Sequence, residues 1–117
     1  MISAALRADH RWLRLPRSAT PSERFWAKVE KADGDGCWLW LASLDFDGYG
    51  QFRFGGRMVK AYAFAYVEAK GPIPAGLELD HLCRNRACVR PHHLEPVTHA
   101  ENVRRGAMVA ANQAVRP

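Results

Sequence analysis

The stretch that most constrains the fold is DHLCRNRACVRPHHLE, which runs from Asp80 to Glu95. Its sixteen positions hold three His, two Cys, one Asp and four residues that are Arg or Asn. The His, Cys, Asp and Asn side chains among them can bind metals, and they outnumber what one metal site can use. We therefore predict two metals, one that builds the loop and one that does chemistry beside it.

The whole chain has the size and charge of one small basic domain. Its 117 residues allow only a thin core, which a structural metal would stabilise. The net charge of +5 suits a nucleic acid partner, although an ordinary solvated surface explains it equally well. Three Cys do not suit a disulfide framework, and thiols near His indicate metal binding in a reducing compartment. No apolar run reaches membrane-spanning length, so no membrane partner is expected.

The termini differ in character from the middle of the chain. Residues 1–19 carry four Arg against one Asp and are typical of a basic, flexible arm. An organelle-targeting segment, an arm along DNA and a frayed or wrongly assigned start all fit this composition. We expect the folded domain to span residues 20–109 and residues 110–117 to form a loose tail.

The middle of the chain predicts an α+β fold with a small antiparallel sheet. TPSERFWAKVEKA predicts a helix whose first turn is capped by Thr20 and Glu23. CWLWLASL and YGQFRF alternate as half-buried strands do, and the DFDGYG turn joins them. Further predicted elements are a strand at RMVK, a helix over residues 61–70, a strand at LELDHL and a capped helix from Thr98 to about Val109.

Cys83, Cys88 and His93 follow one another at intervals of five residues. A structural Zn²⁺ takes four such ligands in a tetrahedron. The fourth would be Cys37, which would clamp the loop to a distant part of the chain. His92 competes with His93 as the imidazole ligand, and the spacing alone leaves that choice open.

A second group surrounds His81, at the end of the predicted strand. Asp80 precedes it, and Asn102 lies in the first turn of the following helix. Asp and Asn supply oxygen ligands for Mg²⁺ or another hard ion, and a neutral His can take a proton from water. Each residue alone fits ordinary hydrogen bonding, but their order predicts metal-assisted hydrolysis of a phosphodiester.

The segment from Asp80 to Asn102 resembles the ββα-metal core of HNH endonucleases. In that core a DH pair ends a strand, a middle Asn or His follows, and a last Asn or His lies on a helix. The order of His81, Cys83, Cys88, His93 and Asn102 is also similar to His-Cys box homing endonucleases. The wider pattern GCWLW, DGYG, GG and GPIPxGLxLDHLC resembles small phage-type HNH proteins, so that the resemblance covers about residues 22–106.

The resemblance implies a role for each of these residues. His81 would be the general base, and the His93 backbone carbonyl would orient its ring. Asn102, with Asp80 as second ligand, would bind a catalytic Mg²⁺ or Mn²⁺. The implied structural zinc ligands are Cys37, Cys83, Cys88 and His93.

Two positions depart from the family pattern. Arg90 stands where relatives carry Asn, and Ala63 stands where they carry Arg. Another cation would have to take the place of the Arg that relatives carry at the position of Ala63. The nearest candidates are Arg53, Arg57 and Lys60. The full set of predicted DNA-contacting residues is Arg53, Arg57, Lys60, Arg84, Arg86, Arg90, Arg104 and Arg105.

The sequence therefore predicts a zinc-stapled HNH endonuclease that cuts or nicks double-stranded DNA. The resemblance implies 5′-phosphate and 3′-hydroxyl ends and a phage or bacterial cytoplasm. A monomer would nick, whereas a homodimer would cut both strands. The main alternative is a non-catalytic, zinc-stabilised DNA-binding module. A zinc-stabilised protein-interaction domain is a more distant one.

Overall fold

The computed structural model describes residues 15–114, with side chains described through residue 108. Most of the predicted basic arm therefore lies outside the described residues. The elements in chain order are α1 (Pro21–Trp26), β1 (Val29–Glu30), β2 (Leu39–Trp40), β3 (Gln51–Phe54), β4 (Arg57–Lys60), α2 (Ala61–Lys70), β5 (Glu78–His81), a 3-10 turn (Pro91–His93), β6 (Leu94–Val97) and α3 (His99–Ala114). The strands form three antiparallel pairs, which confirms the predicted α+β class. Across the described range, no helix is long and apolar enough to cross a membrane.

Helix α1 begins as predicted but ends early. The Thr20 hydroxyl accepts from the Glu23 N–H at 3.0 Å, and the Glu23 carboxylate accepts from the Thr20 N–H at 2.8 Å. The helix stops at Trp26, so the prediction of a helix through residue 32 was wrong. Val29, which is β-branched and suits a strand, instead pairs with Trp40 across β1 and β2.

The predicted hairpin around DFDGYG is present only in part. A single bridge joins Leu44 to Gly50, and the Asp45 N–H donates to the Tyr49 carbonyl at 2.7 Å. Strand β2 pairs with β1 rather than with β3, so the predicted pairing of the two strands was wrong. The regular hairpin is β3–β4, which turns at Gly55 and Gly56.

The main core is aromatic and lies beneath these short strands. The ring of Phe25 contacts those of Trp40 and Phe52, with centroids 4.9 and 5.1 Å away. Gly50 lets the chain pass close to this core, since a Cβ there would lie 2.6 Å from the Trp40 ring and 2.9 Å from the Ala61 methyl group.

A ββα unit follows the core. Strands β5 and β6 pair antiparallel, with Asp80 opposite Glu95 and His81 opposite Leu94. On one face Leu79 and Leu94 pack with Tyr66 of α2. On the other face Asp80 and Glu95 both contact Arg105 of α3. The hairpin is therefore covered by α2 on one side and α3 on the other.

The last helix is longer than predicted. Thr98 caps it, accepting from the Glu101 N–H at 3.1 Å. Helix α3 continues to Ala114, so the prediction that this helix ends at about Val109 was wrong. The predicted domain bounds of residues 20–109 and the loose tail of residues 110–117 stay predictions. Residues 115–117 lie outside the described range. Strand β6 was also missed, because the sequence was expected to run directly from the loop into the helix.

Candidate metal centre and active site

The structure brings together four side chains from two distant parts of the chain. The ligand atoms of Cys37, Cys83, Cys88 and His93 all lie within 4.8 Å of one another. His93 Nδ1 lies 3.7 Å from Cys37 Sγ and 3.5 Å from Cys88 Sγ. His92 is exposed and outside this group, so the geometry selects His93.

Backbone pairing holds the two parts of the group in register. Val89 N–H donates to the Trp38 carbonyl at 2.8 Å, and Trp40 N–H donates to the Ala87 carbonyl at 3.0 Å. This pairing carries Cys37 to the loop that bears Cys88. The group is set by tertiary structure, since Cys37 is far from the loop in sequence.

Three thiols and one imidazole are a donor set that fits Zn²⁺. Burial raises the pKa of the Cys88 thiol to about 12 and also raises the pKa of Cys37. The metal-free thiols of Cys37 and Cys88 are therefore protonated at neutral pH, and a metal that binds them must displace those protons.

Arg90 braces this region internally. Its Nη1 donates to the carbonyls of Gly34 and Gly36, both at 2.7 Å, and its guanidinium lies 4.9 Å from the Trp38 ring centroid. Arg90 therefore has a structural position that ties residues 34–36 to the strand leading into the Cys/His group, and its DNA contact stays a prediction.

His81 is oriented by the same loop. Its Nε2 lies 3.1 Å from the Cys88 backbone carbonyl. A carbonyl only accepts, so Nε2 carries the hydrogen and Nδ1 is the unprotonated nitrogen of the neutral ring. The prediction that the His93 carbonyl orients this ring was wrong, because the ring bonds to the Cys88 carbonyl instead; the His93 carbonyl accepts from the Leu82 N–H at 2.8 Å.

The surroundings of His81 favour the neutral ring. The residue is 6% exposed, and its ring centroid lies 4.7 Å from that of Tyr62 and 5.7 Å from that of Tyr49. Burial lowers the pKa of His81, and the Cys88 bond and the Asp80 charge only partly oppose that effect. The ring is therefore ready to accept a proton at neutral pH.

Two cations flank the neighbouring Tyr49. Lys60 Nζ lies 5.2 Å and Arg86 Cζ 5.3 Å from the Tyr49 ring centroid. Lys60 also pairs with Asp45, and Arg86 donates to the Asp47 carbonyl at 3.0 Å. Both cations therefore flank the ring of Tyr49, which in turn lies beside the His81 ring.

Asp80 faces away from His81, because adjacent residues of a strand point to opposite faces. Its carboxylate is 3% exposed and accepts from Arg84 Nη1 at 2.8 Å and from Arg105 Nη1 at 3.1 Å. Asp80 and His81 therefore lie on opposite faces at the end of β5.

Asn102 lies on the Asp80 side of the hairpin. Its Nδ2 donates to Glu78 Oε1 at 2.7 Å, and His99 Nδ1 lies 3.1 Å from the same oxygen. These hydrogen bonds lower the pKa of Glu78. The face between β5 and α3 thus carries the carboxylates of Asp80 and Glu78 and the amide of Asn102. The Asp80 and Asn102 side chains offer oxygens of the kind that a hard divalent cation binds.

Sequence reasoning missed Glu78. The signal was its place two residues before Asp80, which puts both carboxylates on one face of a strand.

Four of the predicted DNA-contacting cations pair with acidic side chains. Arg104 Nη2 lies 2.6 Å from Glu101, Arg105 Nη1 lies 2.7 Å from Glu95, Arg84 pairs with Asp80, and Lys60 pairs with Asp45. Arg90 contacts the carbonyls described above. The predicted cations with exposed side chains are Arg53, Arg57, Lys60, Arg84, Arg86 and Arg104.

The fold and site define the class of the protein. A β-hairpin followed by a helix is the arrangement of a ββα-metal core. Here His81 lies at the strand end, the Cys/His group lies in the loop, and Asn102 lies in the first helical turn. Residues 61–104 match the sequence model of the HNH endonuclease family. This segment is therefore similar to that family, in agreement with the resemblance drawn from its motifs.

Two curated relatives are phage proteins. The chain is 32% identical over 66 residues to Protein 7.7 of Escherichia phage T7, covering 56% of this chain and 51% of that protein. It is 30% identical over 63 residues to the Uncharacterized gene 5.3 protein of Enterobacteria phage T3, covering 49% of this chain and 62% of that protein. The match thus spans only about half the length of the first relative. No solved structure matches the chain.

Proposed function

We propose that this protein is a metal-dependent endonuclease that hydrolyses phosphodiester bonds in double-stranded DNA. The observation that carries the proposal is the hydrogen bond from His81 Nε2 to the Cys88 carbonyl. It fixes the tautomer that a general base needs and leaves Nδ1 to accept a proton. The match of residues 61–104 to HNH endonucleases supports the same chemistry.

In this proposal His81 takes the proton from the attacking water. The packing of Tyr62 and Tyr49 against the ring keeps it neutral and restricts its rotation. The scissile phosphate would lie at the end of β5, where the two faces of the strand meet. At that point one phosphate group would be able to reach both His81 and the oxygen donors on the opposite face.

Asp80 and Asn102 are the residues proposed to hold the catalytic Mg²⁺ or Mn²⁺. A divalent ion bound there supplies stabilisation of charge on the phosphate and on the leaving oxygen. The chain's own contribution is to place an acidic and an amide side chain on one face. For Asp80, binding requires that its ion pairs with Arg84 and Arg105 loosen or be shared.

The proposed zinc ligands are Cys37, Cys83, Cys88 and His93, and their role is structural. The carbonyl that orients His81 belongs to Cys88, so a metal that fixes this residue also fixes the base. The zinc would thereby act on catalysis through the backbone, without touching the substrate.

DNA would be held by the exposed cations around the end of β5. Arg86 and Lys60 flank Tyr49, whose ring lies beside that of His81, and Arg57 extends the positive surface along β4. Arg53 and Arg84 complete this proposed set. Contacts of this kind bind phosphates without reading sequence, so the affinity should fall steeply with salt.

A non-catalytic DNA-binding module is the second candidate, and one observation favours it. The Asp80 carboxylate already has two guanidinium partners, Arg84 and Arg105. A site whose charge is balanced by the protein itself has less need of a metal ion. The absence of the usual Arg at Ala63 agrees with this reading.

A labelled duplex separates the two candidates. The zinc-loaded protein is incubated with the duplex and Mn²⁺, and the products are treated with DNA ligase. The nuclease proposal expects nicks that ligase reseals, because the ends should be 5′-phosphate and 3′-hydroxyl. Binding in a gel-shift assay without any product, in either Mg²⁺ or Mn²⁺, would support the binding module instead.

A further inference from the structure

Glu78 contacts Asn102, a proposed ligand of the catalytic metal, but the proposed function gives Glu78 no role. Its Oε1 accepts from Asn102 Nδ2 at 2.7 Å, joining strand β5 to the first turn of α3. His99 Nδ1 lies 3.1 and 3.2 Å from the two oxygens of the same carboxylate. Two side chains of one helical turn therefore converge on a single strand carboxylate.

This contact fixes which atom of Asn102 is offered elsewhere. A carboxylate can only accept, so the amide branch that faces Glu78 must be the NH₂ group. The amide oxygen is then the other branch, directed away from Glu78. Because oxygen is the atom that a hard cation takes from an Asn side chain, the contact selects the rotamer in which Asn102 can act as a ligand.

We propose that Glu78 is a positioning residue that holds the Asn102 amide so that its oxygen binds the divalent cation. The inference rests on the proposed function, in which Asn102 is a ligand of the catalytic ion. Glu78 acts through Asn102 and makes no bond to the ion. Removing an outer partner of a metal ligand typically weakens metal binding by about 10–100-fold.

The test is direct binding of Mn²⁺ to the zinc-loaded protein, with free Mn²⁺ counted by electron paramagnetic resonance. Glu78→Ala should weaken Mn²⁺ binding at least about tenfold, with zinc content and Tm close to wild type. Glu78→Gln keeps an acceptor oxygen and should lose less. His99→Ala is the matched control, since it touches the same carboxylate but leaves the bond to Asn102.

A double-mutant cycle separates positioning from direct ligation. If Glu78 acts through Asn102, then Glu78→Ala should cost nothing further in an Asn102→Ala background. Additive losses would mean that Glu78 binds the ion itself and would overturn the proposal. Unchanged Mn²⁺ affinity of Glu78→Ala, or no Mn²⁺ binding by the wild type, would also overturn it.

The same experiment keeps this inference distinct from the proposed nuclease activity. Coupled losses of Mn²⁺ affinity in a protein that cleaves no DNA would support the positioning role while the nuclease proposal fails. If Glu78→Ala cleaved DNA normally and bound Mn²⁺ normally, the nuclease proposal would stand and the positioning role of Glu78 would fail.

Discussion

Cys88 contacts both the base and the Cys/His group. Its backbone carbonyl accepts from His81 Nε2 at 3.1 Å, while its thiol lies 3.5 Å from His93 Nδ1. The candidate zinc centre and the candidate base are thus joined through a single residue. A change in the Cys/His metal centre should therefore alter the orientation of the His81 ring, even when the catalytic metal site is unchanged.

Removal of zinc should abolish DNA cleavage, and added Mg²⁺ should not restore it. A chelator that strips zinc frees the Cys88 segment, so the carbonyl no longer holds the His81 tautomer. After dialysis into Mg²⁺ alone, DNA cleavage should stay lost, and added Zn²⁺ should restore it. Full activity of a protein shown by elemental analysis to lack zinc would contradict the link between the two sites.

The two neighbouring His residues provide a matched pair for the metal centre. His93→Ala should lose the bound zinc and lower the free energy of unfolding by more than about 4 kcal/mol, the range seen when a structural metal is lost. His92→Ala should keep both, because His92 is exposed and outside the Cys/His group. Zinc content and thermal denaturation check this, and equal behaviour of the two variants would refute the ligand assignment.

Arg90 should matter for stability rather than for DNA. Arg90→Ala removes the donor to the carbonyls of Gly34 and Gly36, and charge-assisted bonds of this kind contribute about 1.5–3 kcal/mol. DNA affinity measured with excess folded protein should keep its salt dependence. Arg57→Ala should do the reverse, leaving stability unchanged and reducing the salt slope by about 1. A reduced salt slope for Arg90→Ala would instead show that Arg90 contacts DNA.

Two glycines should respond in opposite ways to alanine. Gly50→Ala drives a methyl group into Trp40 and Ala61, and overpacking of this kind costs about 1–3 kcal/mol. Gly106 lies in α3, where a Cβ would meet nothing within 4 Å. Gly106→Ala should therefore stabilise the protein by roughly 0.5–1 kcal/mol. Urea denaturation measures both, and a stable Gly50→Ala variant would mean that the aromatic core can yield.

Local sequence signals predicted the elements that depend on local interactions. Helix α2 begins at Ala61 and ends at Lys70 as expected, because an Ala-rich run is followed by Gly71 and a proline. The capping residues Thr20 and Thr98 were also correctly predicted, since each acts on a backbone N–H three residues later. The spacing of the loop ligands likewise reflects a short-range constraint.

Signals that depend on distant partners were the ones that failed. Val29 has helical spacing with Phe25, but its pairing with Trp40 decides its conformation. The Cys88 carbonyl could not be identified as the partner of His81, because backbone atoms carry no sequence signature. The pairing of Arg105 with Asp80 could not be predicted either, because the sequence does not distinguish an Arg that faces DNA from one that pairs with another side chain.

The most direct test of the central claim is supercoiled-plasmid cleavage by the zinc-loaded protein in Mg²⁺, Mn²⁺ or EDTA. Wild type, His81→Ala and His92→Ala are compared, with DNA binding and Tm measured on each. The account predicts metal-dependent nicking or linearisation by wild type and His92→Ala, and none by a folded His81→Ala that still binds DNA. Cleavage by His81→Ala at the wild-type rate, or binding without cleavage by the wild type in both metals, would contradict it.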